Sequence, residues 1–269
     1  MSPRFVLNDV SFGYSQRMIF NQLNLEIPGG EFTVIVGPNA CGKSTLLKSL
    51  ARILKPEAGN ILLNGSDVLS LGTKEFARQV GFLSQSAVIP EKMLVRDLVA
   101  RGRFPHQSVF RQWSRADYEA VEKAMFLTKV SDLQNQYVAE LSGGQRQRVW
   151  IAMVLAQDTE TILLDEPTTF LDLRHQIEIL ELCRILHQQQ KRTIVAVLHD
   201  LNQAARYATH LIAMNQGAVV AQGNAREVVT EDAVEEIFGL PAKVVPDPVV
   251  GTPLVVPLEF TTELDSKLS

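Results

Sequence analysis

Apolar and polar positions fall into distinct regimes along the chain. Residues 5–27 alternate in short runs, punctuated by Gly13 and closed by Pro28, and predict an antiparallel β layer. Phe32-Thr33-Val34-Ile35-Val36 is a compact apolar run, the pattern of a strand buried on both faces. After a glycine-containing turn, Leu46, Leu47, Leu50, Ile53 and Leu54 recur at helical spacing, so the order is strand, turn, helix. Two more buried strands are predicted at 161–164 and 193–198. Residues 173–188 between them predict a helix, with apolar Ile177, Leu180, Ile185 and Leu186. Strands that alternate with helices indicate a parallel α/β sheet. Residues 211–214, then Asn215-Gln216-Gly217, then 218–221 predict a hairpin with a glycine turn.

Residues 86–140 break this pattern. They hold no convincing strand, and 115–127 reads as an amphipathic helix, which predicts a helical insertion between two parts of the core. From Pro241 onward the chain is rich in Pro and Val and predicts an extended appendix. No internal repeat is present. The expected organisation is one domain over 1–269: a core of 1–85 and 141–240, a helical subdomain of 86–140 and a C-terminal appendix of 241–269.

Composition changes this picture little. At 269 residues the chain can bury one substantial core. No run approaches the roughly 18 apolar residues of a membrane span, and residues 1–7 hold no stretch of signal-peptide length. The expectation is a protein that stays in the compartment where it is made. Cys41 and Cys183 form no metal-ligand spacing, so reduced thiols are expected. A net charge of −4 argues against a dedicated nucleic-acid binder.

The chemistry is concentrated in three segments. Gly37-Pro38-Asn39-Ala40-Cys41-Gly42-Lys43-Ser44 matches GxxxxGK[ST]. Phosphate oxygens need several donors converging on a small volume. Glycines let backbone N–H groups approach, and the helix that follows offers its positive end. Lys43 would reach the β and γ phosphates and Ser44 would hold Mg2+, with Thr45 extending the nucleotide-binding stretch. A glycine turn can match by chance, but this one lies directly between a buried strand and a helix. In Ile162-Leu163-Leu164-Asp165-Glu166 an apolar strand ends in two carboxylates. Asp165 is placed to bind Mg2+, and Glu166 to polarise the water that attacks the γ-phosphate. Leu141-Ser142-Gly143-Gly144-Gln145 precedes a helical run and reads as a serine-capped helix N-terminus with bare glycine amides. By itself that is an ordinary capped helix.

Together the three segments resemble the ATP-binding cassette family, whose signature motif is LSGGQ. The likeness spans residues 6–223. It implies an α/β fold, a P-loop NTPase core of ABC type with an antiparallel β layer and a helical insertion subdomain. It also implies roles for four further positions. Tyr14 would stack on adenine, and Gln85 would sense Mg2+ and the attacking water. Asp172 would lie in the loop that links two active sites, and His199 would contact the γ-phosphate. In this family ATP sits between the phosphate loop of one copy and the signature helix of the other. Residues Ser142, Gly143, Gly144 and Gln145 would therefore act on a partner's nucleotide, and a homodimer is expected. Separate transmembrane permease subunits are implied as partners, with an extracytoplasmic substrate-binding protein acting through them. The expected location is the cytoplasmic face of the inner membrane.

Val99-Ala100-Arg101-Gly102-Arg103-Phe104-Pro105-His106, followed by Arg111, Gln112 and Trp113, resembles cassettes that serve ferric siderophore, haem and vitamin B12 importers. Val245-Pro246-Asp247-Pro248 and Gly251-Thr252-Pro253 resemble the siderophore branch. Two other classes compete. Arg101, Arg103, Arg111 and Arg115 interleave with Phe104, Phe110 and Trp113, a pattern that can bind single-stranded nucleic acid or ribosomes. Such relatives usually carry two cassettes or a long coiled-coil insertion, and this chain has neither, so no nucleic-acid partner is expected. A nucleotide-binding regulator without turnover would lack Glu166 or His199, and both are present. Cys41 sits where a helix N-terminus would acidify a thiol, which raises redox control against a merely small loop residue. Alkylation there is expected to inhibit, with ATP protecting.

Overall fold

A computed structural model describes residues 2–14, 17–85, 92–107, 113–169 and 171–259. The alternating N-terminal segment forms two long strands, β1 (Pro3–Tyr14) and β2 (Arg17–Pro28). With β4 (Ala58–Leu63) and β5 (Ser66–Asp67) they build an antiparallel sheet of order β2-β1-β4-β5. A second sheet, of order β10-β9-β3-β8-β7-β6, is parallel except for its edge hairpin. Its strands are β3 (Phe32–Val36), β6 (Val80–Leu83), β7 (Thr161–Asp165), β8 (Thr193–Val197), β9 (His210–Asn215) and β10 (Ala218–Gly223).

The unbroken apolar runs are explained by two cores, one on each face of this parallel sheet. Phe32, Val34 and Val36 of β3 face the helical side, together with Ile162, Leu164, Ile194 and Ala196. Ile35, Leu163, Val195 and Val197 face the antiparallel sheet, with α1 (Lys43–Leu50) packed among them. On the helical side lie α3 (Val95–Ala100), a 3-10 turn (Arg101–His106), α4 (Arg115–Leu127), α5 (Gly143–Ala156) and α6 (Leu173–Gln190).

Several expectations need correction. Helix α1 stops at Leu50, and the Ile53 side chain is exposed. The helix ends in a Schellman turn, with Arg52 in the left-handed region (φ 58°) and the Ile53 N–H donating to the Lys48 carbonyl. No glycine marks that stop. The strands β4, β5 and β6 and the short helices α2 (Thr73–Gln79), α7 (Leu201–Tyr207), α8 (Ala225–Val228) and α9 (Glu231–Phe238) were not predicted. In the described part of the expected extended appendix, β11 (Ala242–Pro246) pairs with β12 (Pro253–Pro257) as an antiparallel hairpin.

The interleaved arginines are not a uniform basic face. Arg103 is buried, donating to Asp117 at 2.9 Å and to the Ala156 carbonyl at 2.8 Å. Burial pushes the Asp117 carboxyl up, but hydrogen bonds from Ser114 and Arg103 win and hold it at about 2. Phe110, Arg111 and Gln112 lie outside the described residues. Among the described residues no helix is long and apolar enough to cross a membrane.

Candidate functional site

Strand β3 delivers the chain into the loop 37–42, and α1 begins at Lys43. The loop is shaped from behind by a neighbour that sequence reasoning missed, the β9–β10 turn. Gln216 and Gly217 both have positive φ there, and the Gly217 N–H donates to the Cys41 carbonyl at 3.0 Å. A Cβ on Gly217 would fall 1.8 Å from the Ile19 carbonyl oxygen, so only glycine lets the turn wedge between the phosphate loop and β2. The Asn-Gln-Gly hairpin signal was visible; its role as a buttress was not.

Lys43 is buried, and its ammonium donates to the carbonyls of Gly37 and Pro38, each at 2.8 Å. The cation therefore already sits over the loop that would hold phosphate. Cys41 bears on the choice between redox control and a small residue that fits the loop. It is buried, and burial raises its thiol pKa despite the nearby Lys43 charge. A buried, protonated thiol is a poor nucleophile. The reading as a small residue that fits the loop stands.

Ser44 donates its hydroxyl to Asp165 Oδ1 at 2.8 Å. Asp165 is fully buried at the end of β7, with Lys48 3.9 Å from Oδ2. Burial pushes its carboxyl above the usual range, while the Ser44 bond and Lys48 pull it down and Glu166 pushes it up. Oδ2 is buried without a hydrogen-bond donor. A hydroxyl beside an under-satisfied carboxylate is a donor set that suits a hard divalent cation, with further oxygens supplied from outside the protein.

Glu166 follows in the left-handed region (φ 53°), an uncommon conformation for a non-glycine residue. Three side chains hold its carboxylate. Gln85 Nε2 donates to Oε2 at 2.6 Å and Thr169 Oγ1 to the same oxygen at 3.1 Å. His199 Nε2 lies 2.7 Å from Oε1, so that nitrogen carries the proton if Glu166 is ionised. Thr169 carried no signal in the sequence beyond following a turn. Asn39, Ala40, Gly42, Lys43, Ser44, Thr45, Glu166 and His199, with Ile19, line one open cleft of about 210 Å³.

The signature residues stand apart from that cleft; none of 142–145 lines it. Ser142 caps α5, accepting from the Gln145 N–H at 3.3 Å, while Gln145 Oε1 accepts from the Ser142 N–H at 2.9 Å. One turn on, Gln147 Nε2 donates to the Pro167 carbonyl at 3.1 Å, tying α5 to the loop after Glu166. Gly144 faces Leu171 and His175. Asp172 caps α6 through the His175 N–H and also contacts His175 Nδ1 at 2.9 Å, and these bonds lower its pKa. Tyr14 ends β1, but its side chain lies outside the described residues. The chain thus carries a phosphate-loop cleft and, apart from it, a capped helix N-terminus whose Ser142 and Gly143 are exposed.

The sequence profile of the ABC transporter family matches residues 20–169, more than half of the chain. The chain belongs to that family. This ABC protein is an ATPase. It is 53% identical over 252 residues to the ferric enterobactin transport ATP-binding protein FepC of Escherichia coli (strain K12), covering 94% of this chain and 93% of the relative. Among solved structures it is similar to a transporter assigned to the metal-chelate ABC type in an inward-facing conformation. That likeness has a TM-score of 0.82 and 30% identity, covering 96% of this chain and 98% of that one. It is also similar to the dimeric ATP-binding cassette MJ0796 in a post-hydrolysis state with ADP and Pi. There the TM-score is 0.72 at 26% identity, over 82% of this chain and 98% of that one.

Proposed function

We propose that this ABC ATPase is the energy-coupling subunit of a bacterial importer for ferric siderophores. The observation that carries its chemistry is the carboxylate of Glu166, held by Gln85, Thr169 and His199 at the mouth of the phosphate-loop cleft. Glu166 orients and polarises the attacking water, His199 contacts the γ-phosphate, and Gln85 senses Mg2+ and the attacking water. Residues 37–45 and Tyr14 bind ATP. Ser44, Asp165 and Gln85 would hold Mg2+, which when bound offsets charge on the transferred phosphate.

The signature residues do not line their own chain's cleft, which supports a twofold homodimer in which Ser142 to Gln145 and Asp172 complete the partner's site. Within the chain, 1–85 and 141–240 serve as the core, 86–140 as the helical part that meets separate permease subunits, and 241–269 as an appendix. Those permeases would hold the protein at the cytoplasmic face of the inner membrane, and an extracytoplasmic binding protein would deliver substrate to them. Similarity to the ferric enterobactin protein supports the iron–siderophore branch over haem or vitamin B12.

The test is purification of tagged Glu166→Gln protein from detergent-solubilised membranes in the presence of ATP. The expected result is a closed dimer that retains ATP, lacks hydrolysis and brings permease subunits whose transport substrate is a ferric siderophore. Normal turnover by that variant would overturn the assignment of Glu166. Recovery from the soluble fraction alone, with RNA or ribosomes attached, would overturn the importer reading and leave the ATPase intact.

A further inference from the structure

Among the described residues the His199 side chain, about half exposed, has Glu166 as its ion-pair partner. Its position also depends on its backbone, which lies between β8 and α7. Asp200 caps α7 by accepting from the Gln203 N–H at 2.9 Å, which places His199 directly before the cap of the helix. Two neighbouring amides then fix that helix in opposite directions.

Asn202 uses both edges of its amide on one residue of the C-terminal hairpin. Its Nδ2 donates to the Val255 carbonyl at 3.1 Å, and its Oδ1 accepts from the Val255 N–H at 2.7 Å. Val255 is itself buried in the helical-side core, so the hairpin end of this link is anchored. Gln203, also largely buried, donates from Nε2 to Gln176 Oε1 at 2.8 Å. Gln176 in turn donates to the Leu171 carbonyl at 2.9 Å, one residue before Asp172. A chain of paired amides therefore runs from the hairpin through the first turn of α7 to the loop that carries Asp172. Partly buried polar networks of this kind define position more than they add stability.

We propose that Asn202 and Gln203 are positioning residues for His199. Asn202 makes the C-terminal hairpin a brace for the helix, and Gln203 ties His199 to the Asp172 loop through Gln176. The appendix then has a role in hydrolysis without touching nucleotide. This inference rests on the reading of His199 as a γ-phosphate contact. A catalytic group displaced by a fraction of an ångström to 1 Å can lose one to two orders of magnitude in rate.

The experiment measures kcat and KM for ATP in the full-length protein for Asn202→Ala, Gln203→Ala, Asn202→Asp and Arg206→Ala. Each variant is made both alone and in a His199→Gln background. Arg206 pairs with Asp247 of the same hairpin at 3.3 Å, farther along α7, and controls for loss of attachment alone. Both alanine variants at 202 and 203 are expected to lower kcat about tenfold with KM held within about twofold. Asn202→Asp, which keeps the acceptor for the Val255 N–H, should fall between Asn202→Ala and the parent. Arg206→Ala should stay within about twofold of the parent. In the His199→Gln background neither alanine should cause further loss, because the group they position is gone. The same fold-loss in that background, or parental kcat in both alanine variants, would overturn the proposal. Full turnover by His199→Gln alone would instead overturn the reading of His199, a separable result.

Discussion

The phosphate loop and the signature segment use the same parts, glycines at a helix N-terminus, and the fold treats them in opposite ways. At the phosphate loop Lys43 and Cys41 are buried, the Gly217 N–H holds the Cys41 carbonyl, and a methyl group on Gly37 would lie 2.1 Å from the Met214 carbonyl oxygen. At the signature segment Ser142 and Gly143 are exposed, and a methyl on Gly143 would meet nothing within 4 Å. The difference teaches where each donor set is completed. Donors at the phosphate loop are braced by their own chain, whereas those at the signature segment are left open, as the proposed homodimer requires.

The sharpest break of this comparison is Gly37→Ala. With φ at 148° and no room for a Cβ, the loop must move. ATP affinity measured by calorimetric titration is expected to fall roughly 100-fold or more, about 3 kcal/mol. Parental affinity would show that the loop's packing is irrelevant to phosphate binding. Gly143→Ala is the matched change at the open site. Turnover is expected to drop about tenfold, as when one aimed donor group is disturbed, with melting temperature and single-chain ATP affinity unchanged. A loss of single-chain affinity would place the signature in its own chain's site.

Asp165 sharpens the same contrast through pH. Burial raises its pKa above the unfolded value, so its ionisation opposes folding. The nucleotide-free protein gains most from this group below the ordinary aspartate range and loses that gain as pH rises through the folded pKa. Asp165→Asn should therefore raise the melting temperature near neutral pH, by roughly 2–4 °C per kcal/mol recovered, while abolishing hydrolysis. A lower melting temperature across that pH range would reverse the assignment. On stability the smallest effect is expected from Ser142→Ala, which removes the cap of α5 and should cost about 1 kcal/mol in a denaturant melt, apart from any loss of turnover at the partner's site.

Much of this was legible beforehand because local chemistry announced it. The buried runs at 32–36, 161–164 and 193–198 became β3, β7 and β8, since a strand covered on both faces has no polar positions to alternate with. The helix at 115–127 appeared with its predicted bounds, capped by Ser114. Strand β6 was missed because four residues containing Gly81 carry no period; its identity comes from pairing with β7. The stop of α1 at Leu50 was missed because Arg52 takes the left-handed turn usually assigned to glycine.

The sequence alone determined which side chains are available and in what order: the phosphate-loop pattern, the paired carboxylates of Asp165 and Glu166, and the capped Ser142 helix. Those depend on neighbours within a few residues, so spacing encodes them. Tertiary structure alone decided that Gln85 and His199 converge on the Glu166 carboxylate from two distant segments. It also decided that Gly217 supports Cys41 from 176 positions away, and that Arg103 faces inward to Asp117 rather than outward. Contacts between distant segments depend on how sheets and helices pack in space, and no local pattern of hydrophobic and polar residues records that.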